Sequence, residues 1–286
     1  MNIIYIDKKE AAISIKNKQL LINTQKIPFK LIDTIVLSGN YTLTTKDILT
    51  LTNSSISLLL LNNNPNKSAV IYPAGAKNSE LKLKQFQKAS TNPLEIAKYI
   101  LNEKIKTHNL HLQKEALRTN NSFYEKIKKA SSLDELLGIE GSFSKFYFQE
   151  YFSLFPKNIC KGKRTKRPPL DALNAILSFS YTLFYNLIAI TLLRFGFEPA
   201  IGFLHRPFRE HFALSSDILE IFRASINAFA KELFASKTLT INDFTKKDGV
   251  YLKYSSRKKF WSEFNSFYHS LESQIDNQIT TIRSML

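Results

Sequence analysis

The sequence predicts an α+β protein: a small β-rich domain at 1–75 followed by a larger all-α domain at 76–286. Three observations predict it. The first 75 residues hold short runs of Ile, Leu and Val, about eight residues apart, separated by polar pairs such as Lys8-Lys9 and Asn17-Lys18. From about Glu80 the apolar residues recur at helical spacing instead. Apolar residues make up 44% of the 286, enough for a core and against general disorder.

In chain order, NIIYI, AISI, QLLI, IPF and DTIVL read as strands of a meander or small sandwich. Gly39-Asn40 breaks that pattern. Thr44 and Thr45 precede KDILTLT, a short helix with a threonine N-cap. SISLLLL at 55–61 reads as a buried strand, NNNPN as a turn, AVIYP as the last strand, and 73–75 as the hinge out of the domain. Beyond it the spacing predicts helices over 80–91, 93–116, 121–130, 132–154, 169–195, 215–236 and 258–285, and no further strand. Asn92-Pro93 and Asp217 mark helix starts. In the final helix Trp261, Phe264, Phe267, Leu271, Ile275 and Ile279 form an apolar stripe suited to core or dimer packing.

The 22 residues at 172–193 carry no formal charge and are long enough to cross a bilayer. However, Asn174, Ser178, Tyr181 and Tyr185 fall on one face, a polar stripe that lipid would penalise. The expectation is a central helix of the all-α domain, with that stripe turned toward a site and no membrane span.

The net charge is +16, which implies a polyanionic partner such as DNA, RNA or an anionic membrane surface. All nine arginines lie at or after Arg118. Arginine's planar fork grips phosphate at two points, so the C-terminal two-thirds are the expected phosphate-handling part. The single cysteine, Cys160, excludes an internal disulfide and a cysteine-based zinc site. With no basic n-region followed by an apolar run at the N-terminus, a cytoplasmic protein is expected. Segment 157–167 packs six basic residues into eleven, as a loop or mobile arm, and brings Lys163, Arg164, Lys166 and Arg167 to a DNA backbone. A second basic segment, 251–260, interleaves tyrosines with cations that include Arg257.

The candidate chemistry centres on 197–223. His205 is expected to sit exposed on a glycine-containing turn. Asp217 and Glu220 follow at i, i+3, on one helical face. Upstream, Glu140 lies between Gly138 and Gly141, where small neighbours permit close approach. Carboxylates and an imidazole together suit Mg2+ or Mn2+ with positions left for phosphate oxygens. His108 and His111, on a lysine-rich helix, read as surface residues. There is no Walker A, G-x-G-x-x-G, G-x-S-x-G or H-E-x-x-H pattern, so nucleotide-driven, serine-hydrolase and zinc-protease chemistry find no support.

At these residues the chain resembles the CRISPR-associated Cas-one family of metal-dependent DNA integrases. LSGNYTLTTKDILTLTNSSISLLLL, GIEG, DALNAILSFSYTLFY, GFLH and SDILEIFR each match a family motif, in the family's order and over nearly the whole length. The resemblance implies a β-rich dimerisation domain and an all-α catalytic domain. It implies a homodimer, joined to the Cas-two protein in a heterohexamer, and double-stranded DNA as spacer precursor and repeat target. It implies that Glu140, His205 and Glu220 hold the metal, Mg2+ or Mn2+, with Asp217 as a supporting carboxylate. Arg206, Arg209 and Arg223 are the expected phosphate contacts, with an internal carboxylate pair as the alternative for Arg223. Phe179 stands where the helix motif usually has glycine, and RPFREHFALSS is more basic than the usual form. A nuclease acting on branched DNA or RNA, and a non-catalytic DNA-binding scaffold, are the alternative readings.

Overall fold

The computed structural model describes residues 1–7, 11–61, 68–73, 78–207 and 211–286. The turn at 62–66, the hinge at 74–75 and Arg209 lie outside these residues.

The N-terminal strands divide between two sheets. β1 (Ile3–Ile6), β5 (Thr34–Ser38), β6 (Ser57–Leu61) and β7 (Ser68–Ile71) form one four-stranded sheet in the order β1-β5-β6-β7. β1 and β5 are parallel, β5 and β6 are parallel, and β7 closes the edge antiparallel. β2 (Ile13–Lys16), β3 (Gln19–Ile22) and β4 (Gln25–Pro28) form the antiparallel meander that the short turns predict. The mixed sheet corrects the meander-or-sandwich reading. The intervening segments act as crossovers: the meander carries the chain from β1 to β5, and α1 (Thr45–Asn53) carries it from β5 to β6. Thr44 caps α1 as its sequence predicts, and Asp47 completes a capping box.

Alternation along these strands feeds two cores. Ile35, Leu37 and Leu58 face one way, into a small cluster with Leu20 and Leu51. Val36, Leu59 and Leu61 face the other way and join the main core under the helices.

The helices are α2 (Ser79–Thr91), α3 (Leu94–Lys114), α4 (Ser122–Lys129), α5 (Leu133–Phe152), α6 (Ala172–Arg194), α7 (Ala213–Ala235) and α8 (Arg257–Ser284). Each lies within a few residues of the range that the periodicity predicts. Asp217 is a correction: α7 begins at Ala213, so this carboxylate lies inside the helix and does not start it. α7 is the centre of the bundle and packs on α3 and α6. α6 is 78% buried over its most apolar window, inside the protein. The apolar stripe of α8 is core: Phe264, Leu271, Ile275 and Ile279 are buried.

A second correction follows α7. β8 (Phe244–Lys246) and β9 (Val250–Leu252) pair antiparallel where no strand was predicted. The signal was present, since Asp248-Gly249 punctuates two β-rich triplets. The hairpin packs against α6, and Val250 donates its N–H to the Pro169 carbonyl at 2.8 Å.

Candidate active site

Three helices converge on one nitrogen. Glu140 comes from α5 and Glu220 from α7, and both carboxylates bond the ammonium of Lys104, which enters from α3. The Glu220 contact is 2.6 Å. Ser144, one turn beyond Glu140, donates to Glu140 Oε1 at 2.7 Å and lies 2.9 Å from the same ammonium. Arg223 Nε donates to the other oxygen of Glu220 at 2.8 Å. Burial alone would raise the Glu220 carboxyl, but Arg223 and Lys104 more than offset it and hold the group well below the usual carboxylate range. Glu220 is therefore an anion in an otherwise dry site. Glu140 is partly exposed, with its neighbours Gly138 and Gly141 opening onto free space.

Asp217, one turn before Glu220, does different work. It is fully buried and accepts four bonds. Oδ2 takes the N–H groups of Phe203 and Leu204 at 2.6 and 3.1 Å, and Oδ1 takes the N–H of His205 at 2.9 Å and its Nδ1 at 2.8 Å. This fixes both the backbone of the 203–205 turn and the ring of His205, with Nδ1 carrying the proton and Nε2 left as the lone pair. Burial pulls the His205 imidazole down, but the bond to Asp217 and its charge outweigh that and raise it above the ordinary histidine value. His205 is partly buried rather than exposed on its turn, at 29%.

The turn needs Gly202. A Cβ there would lie 2.8 Å from Asp217 Oδ2 and 2.9 Å from the Ala213 carbonyl carbon. Neither atom can retreat, one being held by two N–H donors and the other being helix backbone. Gly202→Ala is expected to cost about 1–3 kcal/mol, read from urea unfolding, and to disorder the His205 turn.

The polar stripe of α6 lies beside this centre and organises cations. Asn174 accepts from Arg164 and from the Thr165 N–H at 2.9 and 3.1 Å, and donates to the Lys163 carbonyl at 2.9 Å. Ser178 accepts from Arg164 at 3.0 Å. The ring of Tyr181 lies under both Arg223 and Arg164, at 4.5 and 5.6 Å. Tyr185 accepts from the Phe212 N–H at 2.6 Å. The basic segment is thus a pinned loop and not a mobile arm. Lys166 and Arg167 remain exposed at its crest. Arg206 is exposed beside Asp134, and Arg257 turns inward to Asp7 and Ser38. Phe179 packs on Phe260 and Trp261, so an aromatic contact fills the place of the usual glycine. A groove of about 1000 Å³ is lined by Ser144 and, along α5 and the basic loop, by Lys145, Phe148, Phe155, Lys161 and Lys163. Cations on either side of a run of aromatic rings suit a nucleic-acid strand, backbone on the charges and bases on the rings.

His108 and His111 correct the surface reading. Both are buried, because they continue the inward stripe of Ile100, Leu101, Lys104 and Ile105. His108 Nδ1 bonds the Lys104 carbonyl at 2.7 Å and burial holds it neutral, well below the ordinary histidine value. Burial lowers His111 to about 4, and its Nδ1 lies 2.7 Å from the Tyr147 hydroxyl. That same stripe is the signal that marks Lys104 as a core lysine, a site residue that, like Ser144, the sequence reading does not single out.

By chemical type, carboxylates and an imidazole are donors that a hard divalent ion accepts. Two carboxylates already converge on one positive charge, and an imidazole nearby is oriented through its far nitrogen as metal-binding histidines are. Among the described residues no three His, Cys, Asp or Glu side chains stand close enough to share an ion. Lys104 stands between the glutamates, and His205 is held on Asp217.

Comparison with known proteins gives one family. The family model described as CRISPR associated protein Cas1 matches residues 4–266. CRISPR-associated endonuclease Cas1 1 of Thermodesulfovibrio yellowstonii is 32% identical over 284 residues, covering 91% of this chain and 89% of that protein. The Cas1 protein TM1797 of Thermotoga maritima shares the fold at a TM-score of 0.91 and 22% identity, over 99% of this chain and 96% of that one. A casposase bound to an integration product does so at 0.82 and 22%, over 93% and 82%. A chain of a partial Cas6-RT-Cas1–Cas2 complex does so at 0.66 and 23%, over 99% and 94%. The match spans both the strand-rich and the helical parts and includes Glu140, His205, Asp217 and Glu220: the chain belongs to the Cas1 family.

Proposed function

We propose that this protein is a metal-dependent DNA integrase and endonuclease that inserts spacer DNA into a CRISPR repeat array. The observation that carries this reading is the meeting of Glu140 and Glu220 from separate helices, beside a His205 oriented by Asp217, with Ser144 shared between the site and a basic, aromatic groove. Relatives named as endonucleases and a casposase of similar fold holding an integration product support it.

Glu140, Glu220 and His205 Nε2 would hold Mg2+ or Mn2+, which when bound polarises a phosphoryl oxygen and steadies charge on the attacking or leaving oxygen. The protein's own groups do the rest. Asp217 keeps the His205 proton on Nδ1. Arg223 and Lys104 keep Glu220 ionised at every working pH. Arg164, Lys166 and Arg167 bind backbone phosphates and hold the strands in line, where positioning supplies much of the rate. In joining, the 3′-oxygen of the incoming strand bonds to a phosphorus of the repeat, and the bond from that phosphorus to its bridging oxygen breaks. One phosphodiester replaces another, so no nucleotide energy source is needed. Water in place of the 3′-hydroxyl gives cleavage. Structures of similar fold in a Cas6-RT-Cas1–Cas2 complex and a TtCas1–DNA complex support Cas2 and DNA as partners; a homodimer within a heterohexamer, acting on double-stranded DNA, is the arrangement that the family resemblance implies.

The test offers short duplexes with free 3′-hydroxyls, a supercoiled plasmid carrying a repeat, and Mg2+ or Mn2+. Joined products are expected, lost with EDTA or 3′-dideoxy ends and reduced roughly 10²-fold or more by Glu140→Ala. Cleavage without joining would favour the nuclease reading. Undiminished joining by Glu140→Ala would remove this site from the reaction.

A further inference from the structure

A lysine that is 1% exposed must have its charge met inside the protein. Lys104 has three ammonium protons and three acceptors: Glu140, Ser144 at 2.9 Å and Glu220 at 2.6 Å. Its position is fixed from behind. His108 bonds its carbonyl at 2.7 Å, and the adjoining Thr107 donates to the Ile221 carbonyl of α7 at 2.9 Å. The stem leaves α3 in phase with an apolar stripe, which buries the ammonium beside the partly exposed Glu140.

Two carboxylates converging from different helices repel each other, and in a dry site that repulsion is weakly screened. We propose that Lys104 is the resident counter-cation of this site: it holds Glu140 and Glu220 together before a divalent ion arrives and, by competing for their charge, keeps that ion weakly bound and exchangeable. This rests on the metal-dependent reading above. The trade is specific. Without the lysine charge the glutamates form a stronger anion for a metal, and a less stable one in its absence. Lys104 acts through the glutamates and is a positioning residue.

The full-length protein is titrated with Mn2+, free ion being counted by its electron paramagnetic resonance signal, and melted in EDTA and in excess Mn2+. Lys104→Gln removes the charge and keeps two N–H donors, on a side chain one atom shorter. It is expected to bind Mn2+ on the order of tenfold more tightly than the wild type, to melt lower in EDTA, and to regain most of the difference in Mn2+. Lys104→Arg, which keeps the charge, is expected to bind as the wild type does. Glu140→Gln/Glu220→Gln is expected to lose the site. If the double variant loses Mn2+ but Lys104→Gln binds no more tightly than the wild type, the role of Lys104 is overturned and the metal reading stands. If the double variant binds as the wild type does, both fall. Lys104→Met serves where Lys104→Gln does not fold, and folding only in the presence of Mn2+ is the expected coupling in its extreme form. Failure of both to fold even in saturating Mn2+ overturns the proposal, because the ion should then stand in for the missing charge.

Discussion

Glu220→Gln is expected to abolish strand joining and to lower the unfolding free energy by about 3–5 kcal/mol, the largest combined effect of any single substitution at the site. The cause is the charge that remains. Glu220 is buried and bonds both Lys104 and Arg223. An amide leaves Arg223, itself buried over Tyr181, without its carboxylate, and Lys104 with only Glu140. Glu140→Gln should lose joining equally but cost less stability, since Glu140 faces solvent in part. Urea unfolding of the two variants separates them. The pH dependence has a definite sign. Because the folded protein depresses the Glu220 pKa from 4.5, its contribution is present in full above that value and drains away as the pH falls below it. The wild type should therefore lose stability below about pH 4.5 more steeply than Glu220→Gln, which has no such carboxyl to protonate. Parallel acid profiles would contradict the ionised, doubly paired Glu220.

Asp217→Asn is expected to reduce joining roughly 10–100-fold while leaving Glu140 and Glu220 in place. An asparagine offers one acceptor oxygen where the aspartate has two, and its amide would point N–H groups at donors. Of the Phe203, Leu204 and His205 N–H groups and His205 Nδ1, at least one pair loses its acceptor, at about 1–3 kcal/mol for each buried donor left unmet. His205 then has no fixed tautomer. Two measurements check this independently of activity: the His205 Nδ1–H resonance should disappear, and the imidazole should titrate lower because the charge that raised it is gone. An unshifted His205 titration would show that Asp217 does not orient it.

Much of this site was legible without coordinates. Asp217 and Glu220 sit three apart, so a helix had to put them on one face, and His205 had to lie on a turn because Gly202 and Pro207 leave it little else. What spacing could not give was the division of labour, since it takes tertiary structure to send Asp217 to the backbone of 203–205 and Glu220 to Lys104. Lys104 itself looked like one more lysine in a lysine-rich helix. Only its phase, in step with Ile100, Leu101, Ile105 and His108, distinguishes it, and a charged residue in an apolar phase is easily taken for noise. The sheet was misread for a related reason. Short aliphatic strands such as those of β1, β5 and β6 look alike whether they pair parallel or antiparallel, and the pairing was set by what lies between them. The β8–β9 hairpin was missed because its strands are only three residues long and it is held largely by α6.

α6 has one further consequence, for how variation in this helix should be interpreted. α7, α8, β6 and the β8–β9 hairpin all pack against it, so nearly every position along it has a neighbour that a substitution would disturb. Most invariance there would record volume and not chemistry. Ser178 and Tyr181 differ, since their neighbours are the guanidinium groups of Arg164 and Arg223. Ser178→Ala would be tolerated by the fold and felt by Arg164, whereas Tyr181→Phe would keep the ring under the arginines and leave buried Asn227 without a donor, so an interpreter of natural variants can tell a packing constraint from a functional one within a single helix.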